Sequence, residues 1–420
     1  KKNLQLHANI LEKRLKKAFM NKNIRQLFEI SCKNARNIIG LMSGTSLDGL
    51  DIALCKITGS GTSTKVSLQA FETISYNHDF KTAVKGIFSK KEVNLEMVCL
   101  LNEWIAEEHA KMIVQCLEKW EIPTSEVDVI ASHGQTIYHA PKALHQKQGY
   151  GNATLQIGDG DHLAVKTGII TLSDFRQKHI AAGGEGAPLA VYGDYLIFSE
   201  ANENRMMLNI GGIANFTYLP GNLDATAVFS TDTGPGNTMM DAYVQTHFNN
   251  IQYDKDSAIA LKGAVNYNLL EALINNDFFQ QPFPKTTGPE LFNLHYLQAC
   301  QKATSTENLT HEDVMATLNK FSAVTIIDAL KRTTTHLQAP VTVYASGGGM
   351  HNPLLMQTIK AALPHFIFKT TDELAVNPDA KEAVLFAVLA NETLAGGNTN
   401  YAGVEKGIPT VCMGKISFPA

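Results

Sequence analysis

The chain has 420 residues, 44% of them hydrophobic and 18% charged, with a formal net charge of −4. That length and apolar share imply two folded domains and exclude a disordered or fibrous chain. A near-neutral balance gives no electrostatic case for nucleic acid, so the partners to look for are small molecules.

Residues 1–37 form a basic extension, in which Glu12 and Glu29 alone oppose a run of Lys and Arg that includes Lys13, Arg14, Lys16 and Lys17. Leu4, Leu11, Leu15, Ala18 and Phe19 recur at helical spacing, which predicts an amphipathic basic helix. A targeting segment, a membrane-surface segment, and an appendage ahead of a start at Met20 are all open readings. The six cysteines form no C-x-x-C pair, and no apolar run has the length of a membrane span. These features predict reduced cysteines, a cytoplasmic setting and no membrane partner.

The first patterned stretch runs from Asn37 to Ile57. Two apolar runs, Ile38–Met42 and Ile52–Ile57, flank a turn of Gly, Ser, Thr and Asp, which is how a β-hairpin reads in sequence. Gly44 and Gly49 are expected to allow positive φ and close backbone approach. Ser43, Thr45 and Ser46 add hydroxyls to the backbone N–H groups, so the turn is suited to an anion. Asp48 and Asp51 add carboxylates that suit a hard cation such as Mg²⁺. Neither the Walker pattern nor the dinucleotide fingerprint is present.

Val66–Ile74 predicts a third strand of an antiparallel meander, and residues 81–120 read as helices. Val127–Ala131 reads as a buried strand followed by Ser132-His133-Gly134-Gln135-Thr136. Thr154–Ile157 and Ile169–Leu172 follow the same plan, ending in Gly158-Asp159-Gly160-Asp161 and Ser173-Asp174-Phe175-Arg176. Three strands that deliver polar clusters at their ends predict one edge of a ligand cleft. The glycine-dense stretch 181–188 predicts a hinge into a second domain.

That domain begins as the first did, with strands Met206–Ile210 and Ile213–Leu219 around Gly211-Gly212. Val228–Ser230 leads into Thr231-Asp232-Thr233-Gly234-Pro235-Gly236-Asn237 and a helix over Thr238–Asn249. A long helix spans Glu312–Leu337. The strand Val341–Ala345 ends in Ser346-Gly347-Gly348-Gly349, and a helix over Pro353–Leu363 follows. Strand, glycine turn and helix let a flat ligand lie against bare backbone. A last helix from Asp379 to about Leu394 carries Glu382 in its first turns.

Three glycine turns in two hairpin-led domains imply a nucleotide in an interdomain cleft, the plan of the actin, hexokinase and acetate kinase superfamily. Seven strings go further: Gly40-Leu-Met-Ser-Gly-Thr-Ser-Leu-Asp-Gly49, Ser132-His-Gly-Gln-Thr136, Asp174-Phe-Arg176, Ala182-Gly-Gly-Glu-Gly-Ala-Pro188, Asn209-Ile-Gly-Gly212, Asp232-Thr-Gly-Pro-Gly-Asn237 and Gly347-Gly-Gly349. In this order, over residues 38–420, they closely resemble the anhydro-N-acetylmuramic acid kinase family. The resemblance implies an α/β chain with the two-domain actin-like, ribonuclease H-like fold. Its first domain is expected over 38–182 plus about 396–420, and its second over 183–395.

The activity implied is ATP-dependent, hydrolytic opening of 1,6-anhydro-N-acetylmuramic acid with phosphorylation at O6, in cell-wall recycling by a cytoplasmic homodimer. Gly44, Thr45, Ser46, Leu47, Asp48, Gly49, Leu50 and Asp51 correspond to the phosphate loop, with Gly211, Gly212, Gly347, Gly348 and Gly349 as further nucleotide contacts. Asp232 corresponds to the catalytic base and Glu382 to an acidic sugar contact. Arg176, Asp174, His133 and Gln135 are further substrate candidates, and Asp48 is a candidate for Mg²⁺ through water. Two features depart from the family pattern: the basic extension has no counterpart, and Glu185 stands where Gln is common.

The alternatives differ in class. Asp232-Thr233-Gly234 also matches the aspartic-protease triplet, but a second triplet and a mostly β chain are missing. His133 and His139 have the spacing of a metal pair on an extended segment, and Asp174 with Arg176 would also serve as a structural ion pair. Another sugar or carboxylate kinase, or an ATP-dependent sensor or assembly protein on the same fold, completes the set.

Overall fold

The computed structural model describes residues 20–420 except 336, 338, 339, 375, 376 and 398. The helix expected over the first 19 residues lies outside the described residues. The chain divides into two units. The first takes the described residues up to Ile197 together with Asp379–Asn400 and Pro409–Ala420, and the second takes Phe198–Pro378 and Tyr401–Ile408.

In the first unit the meander forms as the apolar runs predict, with β1 (Ala35–Ser43), β2 (Gly49–Thr58) and β3 (Lys65–Ser75) antiparallel. β4 (Val129–Ala140) pairs parallel with β1, and β6 (Thr171–Ser173) parallel with β4. β5 (Ala153–Ile157) pairs antiparallel with β4, and β12 (Lys415–Ser417) with β6. The second unit repeats the plan. β7 (Asn204–Ile210), β8 (Ile213–Leu219) and β9 (Phe229–Pro235) form an antiparallel meander, and β10 (Val341–Ser346) and β11 (Phe366–Thr370) extend it in parallel from β7.

The orders β3-β2-β1-β4-β6 and β9-β8-β7-β10-β11 are therefore the same arrangement twice. This is the duplicated ribonuclease H-like architecture of the actin-like ATPases. In the first unit the helix Leu95–Lys119 covers the sheet with Leu101, Ile105, Ile113 and Leu117, all buried beside Ile39, Leu50 and Ile130. In the second, the helix His311–Thr334 buries Ile326 and Leu330 against Met206, Leu208 and Phe216. Among the described residues no helix is long and apolar enough to cross a membrane.

The expected boundaries move, and Tyr401–Ile408, expected in the first domain, falls in the second unit. The stretch 183–197 belongs to the first unit, because the Gly186 N–H donates to His179 Nδ1 at 2.9 Å and the Gly186 carbonyl accepts from Arg176 at 2.6 Å. The glycines at 183–186 are thus a wrap around buried His179, not a hinge; a β-carbon on Gly184 would lie 2.2 Å from the imidazole. The helix Lys381–Ala395 also belongs to the first unit, since it packs on β1, β2 and β4.

Candidate active site

The loop between β1 and β2 exposes Thr45, Ser46 and Asp48, while Leu47 and Leu50 turn into the core. Leu47 takes the left-handed conformation, φ 58°, and its N–H closes the turn on the Gly44 carbonyl at 3.3 Å. The expected positive φ at Gly44 and Gly49 is absent. Gly49 is required for a different reason: a β-carbon there would sit 2.5 Å from the Ile74 carbonyl oxygen on β3. The amides of Thr45 and Ser46 have no hydrogen-bond acceptor among the described residues, so they face solvent beside their hydroxyls. Asp51 accepts from the Thr73 hydroxyl at 2.6 Å, and burial pushes its pKa up.

The Ser132–Thr136 string lies within β4, not beyond it. The pairings Leu41↔Ser132 and Ser43↔Gln135 leave an extra residue on β4, and Gly134 takes φ 71° in that bulge. Bulges re-aim side chains, and here the register draws together Ser43, the β4 bulge, the end of β5 (Ile157↔Gln135) and the end of β6 (Ser173↔Ser132).

His133 is buried. Its Nε2 accepts from Arg176 Nε at 2.9 Å, so the proton sits on Nδ1 and is donated to the Gly134 carbonyl at 2.8 Å. Burial, reinforced by Arg176, lowers its pKa to about 3. Both nitrogens are spent, which removes His133 from the direct substrate contacts and from any metal pair with exposed His139. Gln135 is likewise buried, its oxygen taken by Ser43 and its amide turned to the carbonyls of Gly44 and Thr136. Both side chains are thus engaged by neighbouring protein groups.

Arg176 is held by His133 and Gly186 through Nε and Nη1, and its Nη2 has no partner among the described residues. Burial lowers its pKa, with Glu382 opposing the shift. Glu382, in the first turn of Lys381–Ala395, is exposed as a side chain, yet its surroundings desolvate the carboxyl and raise its pKa, with Asp51 adding to the shift and Arg176 and Lys381 opposing it. Asp174 pairs with Lys415, not with Arg176, and takes a left-handed backbone conformation, φ 57°, at the end of β6.

In the second unit the pairs Ala214↔Gly234 and Asn215↔Asp232 leave Thr233 as an extra residue, so Asp232 too sits beside a bulge, inside β9. One carboxylate oxygen of Asp232 accepts from the Thr287 N–H at 2.8 Å; the other has no partner among the described residues. Desolvation raises the pKa to about 6, opposed by that N–H and assisted by Glu290. A half-buried carboxylate with one free oxygen and a pKa near neutrality has the properties of a general base.

The three glycine turns of this unit meet. The carbonyls of Gly211 and Gly212 accept from the N–H groups of Gly236, Asn237 and Thr238 at 2.8 to 3.1 Å. A β-carbon on Gly347, φ 81°, would lie 2.6 Å from the Asn209 side-chain oxygen, and one on Gly349 would lie 2.3 Å from Ile210. Gly348 faces open space except for Asn237. A separate 740 Å³ pocket lined by Tyr218, Phe229, Phe283 and Arg332 contains none of these residues.

The residues that sequence reasoning missed are Thr287 and Glu290. Their signal was the polar string Lys285-Thr-Thr-Gly-Pro-Glu290 directly after an aromatic run, and Lys285 anchors it by donating to the Phe278 carbonyl at 2.8 Å.

The family model for anhydro-N-acetylmuramic acid kinase matches residues 36–418. The chain belongs to the anhydro-N-acetylmuramic acid kinase family. The protein of that name from Pseudoalteromonas atlantica is 58% identical over 401 residues, which cover 95% of this chain and 100% of the relative. The one from Caldanaerobacter subterraneus subsp. tengcongensis is 37% identical over 395 residues, 94% of this chain and 100% of the relative. Membership makes the chain a phosphotransferase and excludes the aspartic-protease reading of Asp232-Thr233-Gly234.

Proposed function

We propose that this enzyme opens 1,6-anhydro-N-acetylmuramic acid with water and transfers the γ-phosphoryl group of ATP to O6, giving N-acetylmuramic acid 6-phosphate and ADP. The observation that carries the reading is the single prepared base, Asp232, oriented by Thr287 and raised to about 6. Glycoside hydrolysis ordinarily uses a second carboxyl group to protonate the leaving oxygen. Here O6 leaves C1 and forms its new bond to phosphorus, so the phosphoryl group takes the place of that proton. Asp232 removes a proton from the water that attacks C1, and ADP departs from the γ-phosphorus.

The remaining residues are proposed in these roles. Gly44–Asp51 offers the free amides and the hydroxyls of Thr45 and Ser46 to phosphate oxygens, and Leu47 and Leu50 hold the loop from the core side. Gly211, Gly212 and Gly347–Gly349 offer bare backbone to the nucleotide. Arg176 takes a substrate carboxylate, which its free Nη2 suits. Glu382 takes a sugar hydroxyl, and Asp174 orders the end of β6 through Lys415.

Mg²⁺ fits a site in which the nucleotide supplies most ligands, since Mg²⁺ usually takes one or two carboxylates plus phosphates. Among the described residues no cluster of His, Cys, Asp and Glu is arranged to hold a metal by itself, and exposed Asp48 is the residue to meet the ion through water. When bound, the ion neutralises charge on the transferring phosphoryl group. A cytoplasmic homodimer with no nucleic-acid or membrane partner is the setting this reading expects.

The test is ADP release with anhydro-N-acetylmuramic acid against N-acetylglucosamine, N-acetylmuramic acid and acetate. Release with the anhydro sugar alone is the expected result, and equal release with any other acceptor overturns the reading. The base also predicts a pH profile. Because Asp232 must be ionised and its pKa is raised to about 6, kcat is expected to fall as pH drops through that value. A kcat that is flat from pH 5 to 8 contradicts the assignment.

A further inference from the structure

We propose that a buried relay, His109–Tyr76–Ser43–Gln135, sets the Gly44–Thr45 peptide so that the Thr45 amide is presented to a phosphate. This inference rests on the phosphate-loop reading of Gly44–Asp51 and names the residues that position the loop.

The four side chains come from the helix Leu95–Lys119, the segment after β3, the end of β1 and the β4 bulge, and all four are at least 96% buried. Tyr76 donates its hydroxyl to Ser43 at 2.7 Å, so the His109 Nε2 at 2.9 Å must be the N–H donor to the tyrosine oxygen. Ser43 in turn donates to the oxygen of Gln135 at 2.5 Å, and the Gln135 amide donates to the Gly44 carbonyl at 3.4 Å. Every link has one donor and one acceptor, and the chain runs in one direction, from His109 to the loop. Burial keeps His109 neutral by lowering its pKa to about 3, and the tautomer with its proton on Nε2 is the one that the Tyr76 to Ser43 hydrogen bond requires. Buried polar groups joined in this way are costly to leave half-satisfied, which makes the arrangement rigid.

The consequence for the loop follows from peptide geometry. In a planar trans peptide the C=O and the next N–H point in opposite directions. Gln135 and the Leu47 N–H both draw the Gly44 carbonyl inward, so the Thr45 N–H is turned outward, where no protein acceptor meets it. Tyr76 is a positioning residue, as are His109, Ser43 and Gln135.

The test uses Tyr76→Phe, which keeps the ring stacked on Phe80 at 3.8 Å and removes only the hydroxyl, with Ser43→Ala as a second break in the chain. The readouts are Tm, KM for the anhydro sugar, Kd for ADP, and amide exchange of the 43–50 peptide with and without ADP. Each variant is expected to bind ADP roughly three- to tenfold more weakly, the scale of one lost hydrogen bond, with sugar KM unchanged. The double variant is expected to be no weaker than Ser43→Ala, because both changes cut one chain. If ADP protects the 43–50 peptide in the unaltered protein while both variants bind ADP normally, the relay is wrong and the loop reading stands. Absence of that protection in the unaltered protein overturns the loop reading and the relay together. Should Tyr76→Phe fail to fold, Ser43→Ala decides the question by the same criteria.

Discussion

Asp232→Asn is expected to fold, bind ATP and lose turnover by roughly 10²- to 10⁴-fold, the range a positioned general base contributes. Asparagine keeps the size of the side chain and an oxygen for the Thr287 N–H at 2.8 Å, but it cannot take a proton from water. Stability is not expected to suffer. Because the folded pKa is raised to about 6, the native state binds this proton more tightly than the unfolded chain does. The contribution of Asp232 to stability is therefore greatest at low pH and declines as pH rises through that value. A neutral amide removes this penalty at pH 7. The check is kcat beside Tm, and turnover within tenfold of the unaltered enzyme at an unchanged Tm removes Asp232 from the base role.

Gly40→Ala is expected to destabilise the first unit by about 1–3 kcal/mol or more. A β-carbon at this position would lie 1.9 Å from the Ala383 carbonyl oxygen and 3.1 Å from the Ala387 nitrogen, so the helix Lys381–Ala395 would have to move off β1. That helix is buried along Ala383–Glu392, and it carries Glu382, so activity should fall with stability. Gly86→Ala is the control. Nothing lies within 4 Å of its added carbon, and alanine in an exposed helix is favoured over glycine by about 1 kcal/mol. Thermal unfolding should rank Gly86→Ala at or above the unaltered protein and Gly40→Ala well below it; the reverse order would contradict the packing of this helix on β1.

The sheet was legible wherever burial is one-sided or complete. The alternation and apolar runs of Ile38–Met42, Ile52–Ile57, Met206–Ile210 and Val341–Ala345 reappear as β1, β2, β7 and β10. The chemistry at their ends was less legible, because it depends on register. A strand that continues through a bulge looks in sequence like a strand that stops, and so Ser132–Thr136 and Asp232–Pro235 read as loops although they are parts of β4 and β9. The bulges change which way the side chains face: His133 and Gln135 turn inward, where they hydrogen-bond Arg176 and the Gly44 carbonyl.

Partners distant in sequence were beyond periodicity altogether. Nothing local to Tyr76 announces that its hydroxyl reaches Ser43, or that the Thr287 N–H reaches Asp232. The return of Lys381–Ala395 to the first unit was hidden for a similar reason, since an evenly apolar helix shows that it is buried without showing which sheet buries it. Tight glycines behave alike. Gly40 and Gly184 look permissive in sequence and are in fact excluded-volume positions, set by backbone or imidazole from other elements.

The central claim, that water opens the sugar while O6 takes the phosphoryl group, is tested most directly by turnover in ¹⁸O-water followed by mass analysis of the two halves of the product. The coupled mechanism predicts one ¹⁸O on C1 of the sugar and none in the phosphate. Label in the phosphate, with unlabelled C1, would mean that water attacks phosphorus, and it would contradict the mechanism built on Asp232.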